Sequence, residues 1–390
     1  MPVMNPLETL KNTFGFDTFR EGQETIITQI LNGNSALAVF PTGSGKSLCY
    51  QLPALLLPGL SIVISPLIAL MKDQVDFLQK RSIPVARLDS SLSADETRQV
   101  YADLNRGHLK LLYVAPERIS NERFFASIED VPISLMVIDE AHCISEWGHN
   151  FRPEYLKLSI AAKKLKVGRV LALTATATPS VVDDIRREFA IPPEAYVNTG
   201  FHRPNLFLEF SPTAALDRIE TLKQKLAASP GGPTIVYVTL QKTAESVAES
   251  LAEAGHPAKA YHAGMKSEAR SRIQDWFMAS TNGIVVATIA FGMGIDKSDI
   301  RRVYHYNLPK TLENYSQEIG RAGRDGYPSH CEILGSDEDL IVLENFIYGD
   351  TPTEASINAF VKFILSQETE FDISIYQLSH LTDIRPLVLS

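Results

Sequence analysis

Seven consecutive residues, Pro41-Thr42-Gly43-Ser44-Gly45-Lys46-Ser47, hold the clearest chemical signal in the sequence. Glycines at 43 and 45 let successive backbone N–H groups curl around an anion, and the run lies between a short apolar segment and a helical pattern. Lys46 can reach the β- and γ-phosphates of a nucleoside triphosphate, and the Ser47 hydroxyl can ligate Mg²⁺. Thr42, Gly43, Ser44, Gly45, Lys46 and Ser47 are therefore candidate triphosphate ligands. A glycine-rich turn that binds nothing is the weaker alternative, because Gly-Lys-Ser opens a helix. The second signal is Leu135-Met136-Val137-Ile138-Asp139-Glu140. Four apolar residues make a buried strand, and two acids fall at its carboxyl end, where α/β sheets bind ligands. Asp139 can hold Mg²⁺ through water, and Glu140 can orient or deprotonate an attacking water. The third is Gln317 with Arg321 and Arg324. Arginines three apart at a helix end face the same way, and a guanidinium fork suits the charge that develops on a transferring phosphoryl group. An arginine pair by itself more often makes salt bridges; the other two signals raise this one.

Such residues need rigid strand ends to hold them. Short apolar runs rich in β-formers predict strands at Leu37–Phe40, Ile62–Ser65, Leu111–Val114, Leu135–Asp139 and Val170–Thr174. A second series follows at Leu206–Phe210, Thr234–Val238, Ala258–Tyr261, Ile284–Ala287 and Val303–Tyr306. Helical patterns alternate with them, for example Thr243–Ala254 and Ser267–Ala279. This alternation predicts an α/β fold of two tandem parallel-sheet domains. The expected divisions are residues 1–199, 200–335 and a helical tail over 336–390, with the seam at Asn198–Pro212. In the tail, Thr351 with Glu354 and Ser374 with Gln377 have capping-box spacing. A helix, a turn at Thr382–Asp383 and another apolar segment read as the start of a winged-helix domain that Ser390 leaves incomplete.

The chain is 45% hydrophobic and 21% charged, a soluble globular composition. No apolar stretch approaches the roughly 20 residues of a membrane span, and no basic-then-apolar leader opens the sequence, so a cytoplasmic location is expected. Cys49, Cys143 and Cys331 lie too far apart for a disulfide framework or a zinc cluster. The net charge of −9 counts mildly against nucleic acid as a partner. A basic groove needs only local clusters, and Lys163, Lys164, Lys166 and Arg169, or Arg301 and Arg302, could supply one.

Together the three signals resemble the RecQ group of superfamily 2 DNA helicases, whose pattern residues 10–334 follow segment by segment. Phe14-Gly15-Phe16, Phe19-Arg20 and Gly22-Gln23 are similar to that group's adenine-reading motif. The resemblance implies that Phe16 stacks on the base while Arg20 and Gln23 bond its edge. Ser65 through Gln74 and Tyr113 through Arg118 resemble motifs that contact DNA, and Ala172 through Ala177, with Thr174, the motif linking hydrolysis to domain movement. Ala260 through Gly264, with His262, and Ala287-Thr288 through Asp296 resemble second-domain DNA and nucleotide motifs. By the same resemblance the domains are RecA-like, ATP and Mg²⁺ are the cofactors, and the activity is 3′→5′ unwinding of tailed duplex DNA by movement along a single strand, in recombination or repair.

One segment, His142 through Tyr155, resembles the aromatic-rich loop that separates this group from its relatives. It implies that Trp147, His149, Phe151 and Arg152 meet DNA, since aromatic faces stack on unpaired bases. Core packing of Trp147, Phe151 and Tyr155 is the competing reading, because their spacing of four suits a helix; Gly148 and Pro153 interrupt that helix. The sequence departs from the group at Glu146 and Asn150, commonly Gln and Asp, and at Val238 through Lys242, which lacks the usual Ser-Arg. The group's four zinc-binding cysteines are absent, and no cysteine follows Cys331, so no zinc is expected. An RNA helicase of the DEAH kind and an inactive DNA-binding scaffold are the alternatives.

Overall fold

A computed structural model of the chain describes residues 5–119, 121–145, 152–228, 231–292, 295, 297–348, 352, 354–367, 372–382, 384 and 386–389. Two all-parallel sheets carry it. The first holds β1 (Ala36–Val39), β2 (Leu60–Ile64), β3 (Val85–Leu88), β4 (Leu111–Val114), β5 (Ile133–Ile138), β6 (Val170–Thr174) and β7 (Tyr196–Asn198) in the order 3-4-2-5-6-1-7. The second holds β8 (Leu206–Phe210), β9 (Thr234–Tyr237), β10 (Ala258–Tyr261), β11 (Ile284–Ala287), β12 (Arg302–His305) and β13 (Ser329–Ile333) in the order 10-11-9-12-13-8. Every strand pair in both sheets is parallel.

Parallel strands need covered faces, and side chains alternate between them. On β9, Ile235 and Tyr237 enter one apolar layer, while Val236 and the adjoining Val238 enter the other. The central strands β1, β2, β4 and β6 are buried along their whole length. In the second sheet neighbouring strands end in register, and in the first β6, β1 and β7 run two residues beyond β5, so the carboxyl ends form one rim per sheet.

Beyond β13 the chain is helical at Glu338–Tyr348, Glu354–Leu365, Ile375–Thr382 and Pro386–Leu389. The Ser374 capping box forms: Gln377 N donates to Ser374 Oγ (3.1 Å), and Ser374 N donates to Gln377 Oε1 (3.4 Å). Thr351, expected to cap the helix that contains Glu354, lies outside the described residues. A buried ion pair ties the first of these helices to the second sheet. Arg218, 2% exposed, donates to Asp339 Oδ1 (2.8 Å), Ser336 Oγ (2.8 Å) and Thr213 O (3.0 Å). Asp339 also accepts from Asn307 Nδ2 (2.8 Å) and Leu308 N (3.1 Å). Removing one partner strands the other charge in the interior, so Arg218→Ala should destabilise the fold by about 3–5 kcal/mol. Equilibrium urea unfolding checks this, and a loss below about 1 kcal/mol would mean that water reaches Asp339 freely.

Candidate active site

At the end of β1, Phe40 N donates to Thr174 O (3.1 Å), and the chain then leaves the sheet. Gly43 has φ +82°, the left-handed backbone that lets the loop double back before the helix Leu48–Leu56 begins. Lys46 folds across the base of its own loop, donating to Phe40 O (3.0 Å) and Pro41 O (3.3 Å). Burial lowers its pKa, and the nearby Glu140 and Asp139 carboxylates partly restore it. Arg20 Nη1 donates to Gly43 O (2.7 Å). Gln23 departs from the expected base contact. It is buried beneath the loop, donating to Ser44 O (3.2 Å) and Gly45 O (3.1 Å) while accepting from Arg20 N (2.9 Å). Its amide therefore braces the loop. Phe16 stands half exposed.

β5 delivers the two acids. Asp139 N continues the ladder to Ile64 O (2.9 Å), and its Oδ2 accepts from Ser65 Oγ (3.1 Å). Glu140 has φ 50° and ψ 46°, a left-handed conformation rare for a residue with a long side chain. Desolvation in the cleft, with Glu140 beside it, raises the Asp139 pKa. Desolvation raises that of Glu140 too, against the pull of Lys46 and of Arg321 from the second sheet. His142 Nδ1 lies 2.9 Å from Thr174 Oγ1 and 3.4 Å from Glu140 Oε2. Burial pushes the His142 imidazole down to about 4, so it is neutral near pH 7. Ser44 Oγ and Glu140 Oε2 are buried without a hydrogen-bond partner, which leaves donor and acceptor capacity facing the loop.

The second sheet closes the cleft. Arg321 and Arg324 lie beyond the helix Leu312–Ile319 and touch different neighbours. Arg321 reaches the Gly292 carbonyl and lies beside Tyr237. Arg324 packs on the phosphate loop: a Cβ placed on Gly43 would meet its Cγ at 3.2 Å. Glu318 anchors the helix through His305 Nε2 (2.8 Å), and Gln317 is half-buried on the same helix. Between the sheets is a cavity of about 300 Å³ lined by Arg20, Thr42, Gly43, Arg203, Asn205 and Arg324.

Four residues expected to contact DNA or to couple it to hydrolysis lie beneath the surface. Ser65, Thr174, His262 and Thr288 are all buried. Ser65 is bonded to Asp139 and Thr174 to His142 and Thr176, while His262 Nε2 meets Glu245 Oε1 (3.1 Å). Ser65, Thr174 and the Nε2 of His262 are engaged by these neighbours, while His262 Nδ1 is buried without a partner. Tyr155 is wholly buried, and its hydroxyl donates to Asp139 O (3.0 Å), so for this residue core packing is the correct reading. Arg152 N donates to Cys143 O (2.9 Å), closing the base of the intervening loop. Trp147, His149, Phe151 and Asp296 lie outside the described residues. Sequence reasoning passed over Arg203 and Asn205; their only signal was the break in helical pattern around them, taken as a domain seam. Among the described residues, Glu209, His330 and Glu332 form the one group with metal-ligand spacing, and Lys225 already neutralises Glu332. No described helix is long and apolar enough to cross a membrane.

Residues 20–185 match the DEAD/DEAH box helicase family and residues 217–326 the helicase conserved C-terminal domain. The chain is 44% identical to the ATP-dependent DNA helicase RecQ of Haemophilus influenzae, over 87% of this chain and 55% of that protein. It is 41% identical to the Bacillus subtilis protein named "Probable ATP-dependent DNA helicase RecS", over 93% of this chain and 73% of that protein. It spans about half the length, or less, of most of the curated relatives it matches. The Mycobacterium smegmatis helicase Lhr bound to single-stranded DNA and AMP-PNP shares the fold, with a TM-score of 0.67 at 19% identity, over 95% of this chain and 54% of that one.

Proposed function

Because this chain belongs to the RecQ family of superfamily 2 helicases, we propose that it is an ATP-dependent DNA helicase that moves 3′→5′ along single-stranded DNA and unwinds tailed duplexes. The observation that carries this reading is convergence. Lys46, Asp139 and Glu140 from the first sheet and Arg321 and Arg324 from the second gather at one phosphate loop. Phe16 offers a face to adenine and Arg20 a guanidinium to its edge, with Asp296 and the Thr42–Ser47 backbone completing the nucleotide contacts. Ser47 and Asp139 would hold Mg²⁺, which neutralises phosphate charge when bound. Lys46 exchanges its two backbone carbonyls for the β- and γ-phosphates. Glu140 orients the attacking water and takes up its proton, a role supported by its buried Oε2 having no hydrogen-bond partner of its own. Gln317 and Arg321 support the γ-phosphoryl oxygens from the opposite side with Arg324, as charge spreads over them.

Coupling to DNA follows the buried layer. Thr174 and His142 lie between the strand ends and Glu140, and Tyr155 and Arg152 fasten the exit of the aromatic loop to Asp139 and Cys143. Trp147, His149, Phe151 and Arg152 are the proposed base and phosphate contacts of that loop, with recombination or repair intermediates as the DNA. The relatives' names as DNA helicases favour DNA over RNA. ATPase assays with single-stranded DNA, RNA or neither test the reading: stimulation by DNA alone supports it, stimulation by RNA alone moves the chain to an RNA helicase, and no turnover leaves a scaffold. Trp147→Ala should bind ATP normally and lose most of its DNA stimulation, since stacking is worth roughly 1–3 kcal/mol per base. A stimulation ratio unchanged from the parent would place Trp147 in the core.

A further inference from the structure

The connection between the two sheets is fastened unevenly. On its first side, Thr199 N donates to Val39 O (3.3 Å) and Gly200 N to Asn198 Oδ1 (2.8 Å), so these residues extend the rim of the first sheet. On its far side, Arg203 Nη1 donates to Gly320 O (3.0 Å) and Nη2 to Gly323 O (2.6 Å). Asn205 Nδ2 donates to Gly323 O (2.8 Å) and Tyr327 O (3.0 Å), and Asn205 O accepts from Ser329 N (2.9 Å). Those carbonyls bracket Arg321 and Arg324. The turn that carries both arginines is thus held at its two ends by side chains of the connection, about 120 residues earlier in the chain.

Resting on the hydrolytic reading above, we infer that Arg203 and Asn205 are positioning residues for Arg321 and Arg324, and that the two sheets pivot between Gly200 and His202. Gly200 has φ +76° and open space around the place of a Cβ. Phe201 and His202 are exposed and separate the two fastened ends. A pivot there carries residues 203–205 and the arginine turn as one body, so sheet closure moves the arginines without distorting their turn. A pivot beyond Arg203 would break the clamp at each closure. Hinges of this kind are a few connecting residues that absorb dihedral change. Arg203 also lies in the field of Arg324 and Arg20; desolvation, first, and then these like charges lower its pKa. Its fork is held on the two carbonyls by charge-assisted hydrogen bonds.

The test is a double-mutant cycle on DNA-stimulated ATPase, with nucleotide affinity measured in parallel by titrating a fluorescent ATP analogue. Arg203→Ala should lower kcat by roughly 10²-fold, the scale of a misplaced catalytic group, with nucleotide affinity near the parent's. Asn205→Ala, which removes no charge, should move the same way by less. In an Arg324→Ala background, the further loss from Arg203→Ala should be clearly smaller than in the parent, because one of the two groups it positions is already gone. A full second hundredfold loss in the double variant overturns the inference, as does an affinity loss with kcat unchanged, which would make Arg203 a direct nucleotide ligand. Unfolding midpoints confirm that each variant is folded, and Asn205→Ala decides the matter if Arg203→Ala is not. Absence of ATPase in the parent would instead sink the helicase reading itself.

Discussion

Glu140→Gln is expected to lower DNA-stimulated ATP turnover by roughly 10²- to 10⁴-fold, the range a positioned acid–base group supplies, while nucleotide binding is kept. Glutamine fits the same space beside His142 and Lys46 but cannot take up a proton. Lys46→Ala should abolish turnover by a different route. Removing the ammonium takes away the charge that holds the outer phosphates, so nucleotide affinity should fall with the rate. Steady-state kcat and a nucleotide titration on both variants separate the two roles. Turnover in Glu140→Gln within about threefold of the parent would mean that another group activates the water.

Arg324→Ala is expected to cut the hydrolysis rate on the order of 10³-fold, as loss of an arginine finger does in phosphoryl transfer, and to leave ATP affinity almost unchanged. The stem of Arg324 already packs on the phosphate loop at Gly43, so little rearrangement is needed to bring its guanidinium to the γ-phosphoryl oxygens. Its target charge develops mainly in the transition state, which is why the rate and not the affinity should suffer. Single-turnover hydrolysis with saturating DNA is the measurement. A loss of less than about tenfold, near 1.4 kcal/mol, would make Arg324 a structural contact across the cleft.

Much of this site was legible because its parts are contiguous. The phosphate loop and the acids after β5 each occupy a single run, and β4, β6, β10 and β11 follow their apolar segments residue for residue. The missed strands show where that signal fades. β3 contains Arg87, whose charge is met by Asp89. β13 carries His330 and Glu332 inside a sheet, and Glu332 reads as a solvent-facing acid until Lys225 is seen beside it (2.5 Å). β7 is a three-residue edge strand. The clamp at Arg203 was illegible for a stronger reason: its acceptors are backbone carbonyls of a distant turn, and carbonyls have no sequence identity. The burial of Ser65, Thr174 and His262 was hidden likewise, since a short motif gives the residue type but not which side of the rim it faces.

The left-handed backbone of Glu140 sets heat resistance against turnover at a single position. A non-glycine residue there stores roughly 1–2 kcal/mol of steric strain, which glycine would release. Selection of variants for thermal tolerance alone would therefore favour glycine at 140 and discard the carboxylate, and any stabilised form that keeps its activity has to find its gain elsewhere in the fold.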